Sequence, residues 1–477
     1  MSFRGLMMLS NDSPREECGV VGVAAPGQDV ARLSFFSLFA LQHRGQEAAG
    51  IAVYGQNGAQ VHKGTGLVNQ VFSSSDLDPL VGDLAIGHNR YSTTGSHHMR
   101  NVQPYLYETV HGVLGVAHNG NLVNAGELRQ ELLEHGAGLS SSSDTEVMAL
   151  TLAGAPGDTW EDRLAHAMQR WEGAFSLVVL TSDRVIAARD ARGFRPLSVA
   201  RLPEGGFMVA SETGALRTVG GTDIREVKPG EIVSLRGQIL RSHQAVPEAT
   251  ILARCTFEHI YFSRPDAVWD DLSVHEVRQR LGEQLANESP VEADVVIPVP
   301  DSSQPAAIGF SRVSGIEYNE GFTKNRYIGR TFIEPTQSLR KQGVAMKFMT
   351  LDENLAGKRV VMIDDSIVRG TTSGPLVKLV REAGATEVHL RITCPPIAHP
   401  CYMGVAMGSY EELIAHHLSV DELREHIGAD SLEFLSVGHM MKAVGRDDGY
   451  CNACFTGDYP IEIRRAGSKR GFEGVLA

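Results

Sequence analysis

No stretch of this chain approaches the roughly 18 consecutive apolar residues that a membrane-spanning helix needs, which excludes a helical membrane anchor. Basic charge is short as well. Forty-four Lys and Arg stand against 57 Asp and Glu, a formal net charge of −13, which argues against sequence-independent binding to nucleic acid or anionic membranes and leaves only local basic patches open. Cysteine is scarce: six in 477 residues cannot build a disulfide scaffold. The N-terminal MSFRGLMMLSNDSPREE has one short apolar patch followed by acidic residues, a poor secretory signal, so a cytoplasmic location is expected. Repeats and low-complexity tracts are also missing. What remains is an ordinary globular composition, 42% hydrophobic and 21% charged, long enough for about two or three domains with real cores.

Two blocks differ in texture. From residue 18 to about 250, short strands such as GVVGVAA, GVLGVAHNG, FSLVVLTS, RVIAARD and FMVAS predict paired antiparallel sheets. From about 290 the pattern becomes ADVVIPVP and then RVVMIDDSIVRGTTSGPLVKLVREAGATEVHLRIT. An apolar strand, a Gly/Thr/Ser turn, an amphipathic helix and a second strand make a βαβ unit and imply a parallel sheet. EELIAHHLSVDELREHIGADSLEFLS reads as surface helices with Ser419 as an N-cap.

Chemistry concentrates at three places. Asp364 and Asp365 end the strand VVMID, at the carboxyl edge where open α/β sheets bind ligands, and VRGTTS then leads into a helix from about Ser373. Backbone N–H groups of such a loop suit a phosphate, while the carboxylates need ribose hydroxyls or Mg²⁺ between them and it. A phosphorylated sugar meets both demands; an acidic loop that merely caps a helix is the alternative. Cys18, in PREECGVVGVAA, is the second place. Were residues 1–17 removed, its α-amine, with a pKa of about 7.7–8.0, would serve as a built-in base for the thiol; otherwise Cys18 is a buried cysteine opening a strand. The third is the C-x-x-C pair Cys451 and Cys454 in YCNACFTG. Redox use is disfavoured by its place near the end of the chain, and zinc and an iron-sulfur cluster both stay open.

VVMIDDSIVRGTT resembles the phosphoribosyl diphosphate (PRPP) motif of type I phosphoribosyltransferases. The resemblance implies that Asp364 and Asp365 hold the ribose hydroxyls and a metal, with Ser366, and that Arg369, Gly370, Thr371, Thr372 and Ser373 wrap the 5′-phosphate. IPVPDSSQPAA resembles the family's pyrophosphate loop through Asp301, Ser302 and Ser303, Ser302 contributing to the Mg²⁺ site with Asp364 and Asp365. KNRYIGRTFIEPTQSLRKQGVAMKF resembles the flexible loop that closes over PRPP, with Lys324, Arg330 and Lys347 as pyrophosphate contacts. In the first block, ALQHRGQEAAGI, GHNRYSTTG, AHNGNLVN and SSSDTEV after a Cys-Gly start resemble the glutaminase domain of class II, N-terminal-nucleophile amidotransferases. This implies a four-layer αββα fold, Cys18 as nucleophile, Arg90 and Asp144 binding the two charged groups of glutamine, and Asn119 with the Gly120 N–H as oxyanion hole. His43, His88 and His118 are then structural.

Together the blocks, with CTFEHIYFSRPDA at the junction, resemble the glutamine PRPP amidotransferase family, in its iron-sulfur branch. The resemblance implies a propeptide at 1–17, a glutaminase domain at 18–250, and a type I phosphoribosyltransferase α/β domain with C-terminal helices at 251–477. It also implies a 4Fe-4S cluster on Cys255, Cys401, Cys451 and Cys454, with zinc as the competing metal; Cys394 is left as core packing. Glutamine and PRPP would be substrates, purine nucleotides inhibitors and a homotetramer the assembly, with no nucleic acid or membrane partner. Ammonia from glutamine would reach C1 of PRPP through an internal channel and give 5-phosphoribosylamine. A PRPP-sensing regulator with a degenerate transferase site is the rival from another class.

Overall fold

A computed structural model describes residues 18–91, 98–325, 348–407 and 409–463 of the chain. Small and β-branched residues dominate Gly19–Ala24, Leu84–Arg90 and Ala48–Gly55, which form the middle of a seven-stranded sheet; Gly58–Thr65 closes one edge, and Phe207–Ala210, Ser198–Arg201 and Thr222–Glu226 the other. All of its pairings are antiparallel. A second, six-stranded antiparallel sheet contains Tyr105–Thr109, Gly112–Leu122, Gly173–Leu180, Val185–Arg189, Glu231–Arg236 and Ile239–Gln244.

Alternation decides which way each strand faces. Val20 and Ile86 of the first sheet meet Ala117, Val178 and Leu235 of the second in a shared core. One residue on, Val21 and Ile51 face outward against Leu38 of the helix Val30–Ala40. Val116, Leu177 and Ile186 leave the second sheet on its far side for the helices Asp144–Gly154 and Trp160–Met168. Helix, sheet, sheet and helix follow in that order, so the inner strands are buried on both faces.

The remainder centres on a four-stranded parallel sheet in the order Val295–Pro298, Arg359–Asp364, Glu387–Ile392 and Ser431–Phe434. The apolar runs VVIP and VVMI are covered on both sides by helices, as parallel strands require, and Gln304–Ser314 and Ser373–Glu382 follow the first two strands. The expected surface helices need one correction. Ser419 caps Val420–Ile427, its Oγ accepting from the Glu422 N–H at 3.3 Å while the Glu422 carboxylate accepts from the Ser419 N–H at 2.8 Å, but Ser431–Phe434 is a strand. Leu432 alternates inward to the core beside polar Ser431 and Glu433, and the edge of Glu387–Ile392 takes up its backbone bonds. The junction is tied to the C-terminal tail by a parallel pair, Arg254–Cys255 with Tyr450–Cys451, and to the first half by the Cys255 N–H, which donates to the Phe194 carbonyl at 3.2 Å; the π-helical turn Glu258–Phe262 follows. Among the described residues no helix is long and apolar enough to cross a membrane.

Candidate active site

Cys18 precedes the first strand and is 6% exposed. Its Sγ lies 3.3 Å from the Tyr91 carbonyl oxygen and 3.5 Å from the Tyr91 nitrogen. Burial pushes the thiol up to about 11, against the lowering influence of the Tyr91 backbone and of Arg90, so in a chain where residue 18 carries a peptide bond the sulfur stays protonated at neutral pH. Arg90 ends the strand Leu84–Arg90 and is buried, as is Asp144, which opens the helix Asp144–Gly154 and accepts from the Leu122 N–H at 3.1 Å.

The strand Gly112–Leu122 runs through the same region and carries Asn119 and Gly120. Gly120 has φ +144°, and a Cβ there would sit 1.9 Å from the Ala174 carbonyl oxygen, so no side chain fits. Asn119 is 1% exposed, and its Nδ2 has no hydrogen-bond partner among the described residues. A buried amide donor held without an acceptor costs free energy, and an anion that forms only during reaction would satisfy it. His88 and His118 behave as core residues. Burial drives His88 down to about 3, burial also lowers His118, and both spend ring nitrogens on neighbours: His88 Nε2 on the His118 carbonyl at 3.2 Å and His118 Nδ1 on Thr145 Oγ1 at 3.3 Å.

In the parallel sheet, Asp364 is the last residue of its strand and Asp365 lies one beyond it. Both are nearly buried. Ser302 Oγ donates to Asp365 Oδ2 at 2.5 Å and Ser366 Oγ to Asp365 Oδ1 at 2.6 Å, while Ser303 Oγ reaches Asp364 Oδ1 at 3.4 Å. The two loops expected to meet at a sugar phosphate thus converge at the carboxyl ends of adjacent strands. Asp301 pairs with Lys324, and the peptide bond before Asp301 is cis. Arg369 pairs with Glu412, Gly370 takes φ +69° against Ile414, and Thr371, Thr372 and Ser373 lead into the helix Ser373–Glu382. Arg330 and Lys347 lie outside the described residues, as do residues 1–17.

The four cysteines gather at the junction. Cys255 and Cys451 are register partners, and the Cys454 carbonyl accepts from the N–H groups of Ala398 and His399, both at 3.1 Å. Burial raises the Cys454 thiol well above its usual range, and Cys451, Cys401 and Cys255 push it the same way. Among the described residues, no group of three or more His, Cys, Asp or Glu stands ready to hold a metal ion. Cys394 is fully buried just after Glu387–Ile392 and is pushed well up by that burial, as a core cysteine should be.

Buried charge escaped the sequence reading. Arg44 Nε donates to the Cys18 carbonyl at 3.2 Å, and its terminal nitrogens are held by Glu212 and Glu258. Burial opposes ionisation of Glu212, but His43 and Arg44 outweigh it and bring the carboxyl down to about 2. Arg195, also fully buried, donates from Nε to the Met403 carbonyl at 3.1 Å. The only hint in the sequence was that Arg44 sits in ALQHRGQEAAGI, between an apolar helix and an apolar strand.

Cys18 and the strand that carries Asn119 and Gly120 lie in one half, and two loops converging at the carboxyl edge of a parallel sheet lie in the other. A glutamine amidotransferase domain model matches residues 88–218. The amidophosphoribosyltransferase of Synechocystis sp. is 49% identical over 474 residues, 98% of this chain and 96% of that one. That of Bacillus subtilis is 47% identical over 454 residues, 94% and 95%. The solved structure of the B. subtilis glutamine PRPP amidotransferase, complexed with ADP and GMP, matches with a TM-score of 0.87 at 46% identity, covering 94% of this chain and 98% of that one. The chain belongs to the amidophosphoribosyltransferase family, glutamine-dependent glycosyltransferases of purine biosynthesis.

Proposed function

We propose that Cys18, made N-terminal by removal of residues 1–17, attacks the glutamine amide with its own α-amine taking the thiol proton. Arg90 binds the substrate carboxylate and Asp144 its ammonium group. The Nδ2 of Asn119 and the N–H of Gly120 receive the developing oxyanion; the unpartnered buried Nδ2 is the observation that carries this half of the reading. Ammonia leaves, and water hydrolyses the γ-glutamyl thioester to glutamate. Residues 18–250 serve this step and 251–477 the next.

Ammonia released into water at neutral pH would be protonated and lost as a nucleophile, so it passes through an enclosed route to C1 of PRPP and displaces pyrophosphate, giving 5-phosphoribosylamine. Asp364 and Asp365 orient the ribose hydroxyls, and Ser366 with Arg369 to Ser373 binds the 5′-phosphate. Asp301, Ser302, Ser303, Lys324, Arg330 and Lys347 receive the pyrophosphate; the Lys324 pairing with Asp301 gives that lysine a resting partner to exchange. Ser302, Asp364 and Asp365 would hold Mg²⁺, which supplies charge neutralisation for the leaving group. Cys255, Cys401, Cys451 and Cys454 would hold a 4Fe-4S cluster that staples junction, transferase and tail. Purine nucleotides inhibit, as the ADP and GMP of the B. subtilis complex suggest, and the protein works as a cytoplasmic homotetramer.

The test is glutamate and pyrophosphate production from glutamine, with and without PRPP and Mg²⁺, on protein purified without oxygen, beside Cys18→Ala. Both products rise together only with PRPP, and vanish in Cys18→Ala while free ammonia still yields pyrophosphate. PRPP binding without turnover overturns the reading. Brown colour and stoichiometric iron identify the cluster, and zinc in its place would refute it.

A further inference from the structure

A chain of buried hydrogen bonds links the Cys18 main chain to the turn at the start of the second half. At the Cys18 end, Arg44 Nε holds the main-chain carbonyl of the nucleophile at 3.2 Å. Glu258 grips the same guanidinium as a fork, Nη1 to Oε2 at 2.9 Å and Nη2 to Oε1 at 2.6 Å, while Glu212 takes Nη1 from the other side at 2.6 Å. The side chains of Arg44 and Glu258 are both fully buried.

Glu258 belongs to the other half of the chain. It opens the π-helical turn Glu258–Phe262, and Ser263 Oγ pins its Oε2 at 2.6 Å. Arg278, on the helix Val274–Glu288, clasps that turn by donating from Nε to the His259 carbonyl and from Nη2 to the Ser263 carbonyl, both at 2.8 Å. Arg278 is itself buried. One arginine therefore holds both ends of the turn that carries Glu258.

Stability alone does not explain this arrangement. Buried ion pairs rarely outperform well-packed apolar residues of the same volume. What a bidentate fork supplies is orientation, and π-helical turns concentrate at functional sites. We propose that Glu258 is a positioning residue of the glutaminase reaction, its carboxylate setting Arg44 on the Cys18 carbonyl, and Arg278 fixing the turn that carries it. The inference deepens the amidotransferase reading and rests on it. A glutamine side chain at 258 would turn an N–H₂ toward one N–H of the guanidinium, break the fork, and let the Cys18 main chain drift. Contacts that bind glutamine are untouched.

Glu258→Gln, made in the full processed chain, is compared with wild type for glutamine-dependent and ammonia-dependent pyrophosphate release at saturating PRPP and Mg²⁺. The expected result is a fall of about ten-fold or more in kcat with glutamine, of the size a small misplacement of a reacting group produces, with KM for glutamine and the ammonia-dependent rate each within about two-fold. Ser263→Ala loosens the same carboxylate without leaving a charge unpaired, and gives a smaller fall in the same direction. Wild-type kcat in Glu258→Gln, or a parallel loss of ammonia-dependent rate, overturns the inference and leaves the function standing. A wild-type protein that turns over neither nitrogen source sinks the function itself.

Discussion

Removing the side-chain amide of Asn119 separates an oxyanion donor from a core residue. In the resting state the Nδ2 is buried and without a partner among the described residues, a condition that costs about 1–3 kcal/mol when a donor is left unmet. Asn119→Ala returns that cost and loses only a small side chain's packing, so the folded state should keep its stability to within about 1 kcal/mol. The transition state has no such compensation. Loss of one oxyanion donor costs about 10²–10³ in kcat, or about 2.7–4 kcal/mol. The assay is glutamine hydrolysis in the presence of PRPP and Mg²⁺, with a urea melt of the same preparation. Asn119→Asp adds a nearly isosteric arm: a carboxylate aimed at an anion should be at least as inactive as alanine. A kcat within a few-fold of wild type, or a melt midpoint falling in step with activity, would refute the assignment and return Asn119 to the core.

Burial holds the Cys18 thiol up at about 11, and the thiolate is the form that reacts; in chain retaining residues 1–17, alkylation at Cys18 should therefore rise with a midpoint near 11, and a midpoint at the ordinary cysteine value of about 8.5 would show the sulfur to be solvated. The same shift makes the fold lose stability as pH rises from the unfolded thiol's pKa towards 11, because only the unfolded chain releases the proton in that window. At Gly404, with φ +108° and a would-be Cβ 3.1 Å from the Gly120 carbonyl carbon, Gly404→Ala should cost about 1–2 kcal/mol and lower glutamine-dependent turnover more than ammonia-dependent turnover, measured side by side. Asp365→Asn leaves one oxygen where Ser302 and Ser366 each donate to one, so pyrophosphate release should fall by about 100-fold or more with either nitrogen source; a KM effect confined to glutamine would contradict that. Cys401→Ser should lose iron and lower the melting midpoint, read by metal analysis and calorimetry, and a protein that keeps both would not be stapled there.

Local chemistry was legible, and long-range charge was not. VVMIDDSIVRGTT could be read because strand, loop and helix are consecutive and each residue type answers to its own position: apolar VVMI within the sheet, acids at its edge, Gly370 where φ is +69°. The sandwich strands were likewise visible from alternation over a few residues. Ser431–Phe434 was missed because four residues with one buried leucine carry too little periodicity beside a well-capped helix. Arg44, Glu212, Glu258 and Arg195 were missed for a stronger reason: an arginine in sequence looks solvated, and only partners 168 and 214 residues away make it a core residue.

Those distant partners also explain why the two halves are not a glutaminase and a transferase merely placed on one chain. The loop after Cys401 presses on the strand Gly112–Leu122: Asn121 Nδ2 donates to the Tyr402 carbonyl at 2.9 Å, Arg195 holds the Met403 carbonyl, and the Gly404 backbone packs on Gly120. Glu258 reaches the Cys18 main chain from the other side through Arg44. The Cys18 main chain and the strand Gly112–Leu122 are thus each held by residues from beyond position 250, and a first half cut from this chain should lose glutamine hydrolysis while still folding, as glutaminase assays and a urea melt of residues 18–250 would show.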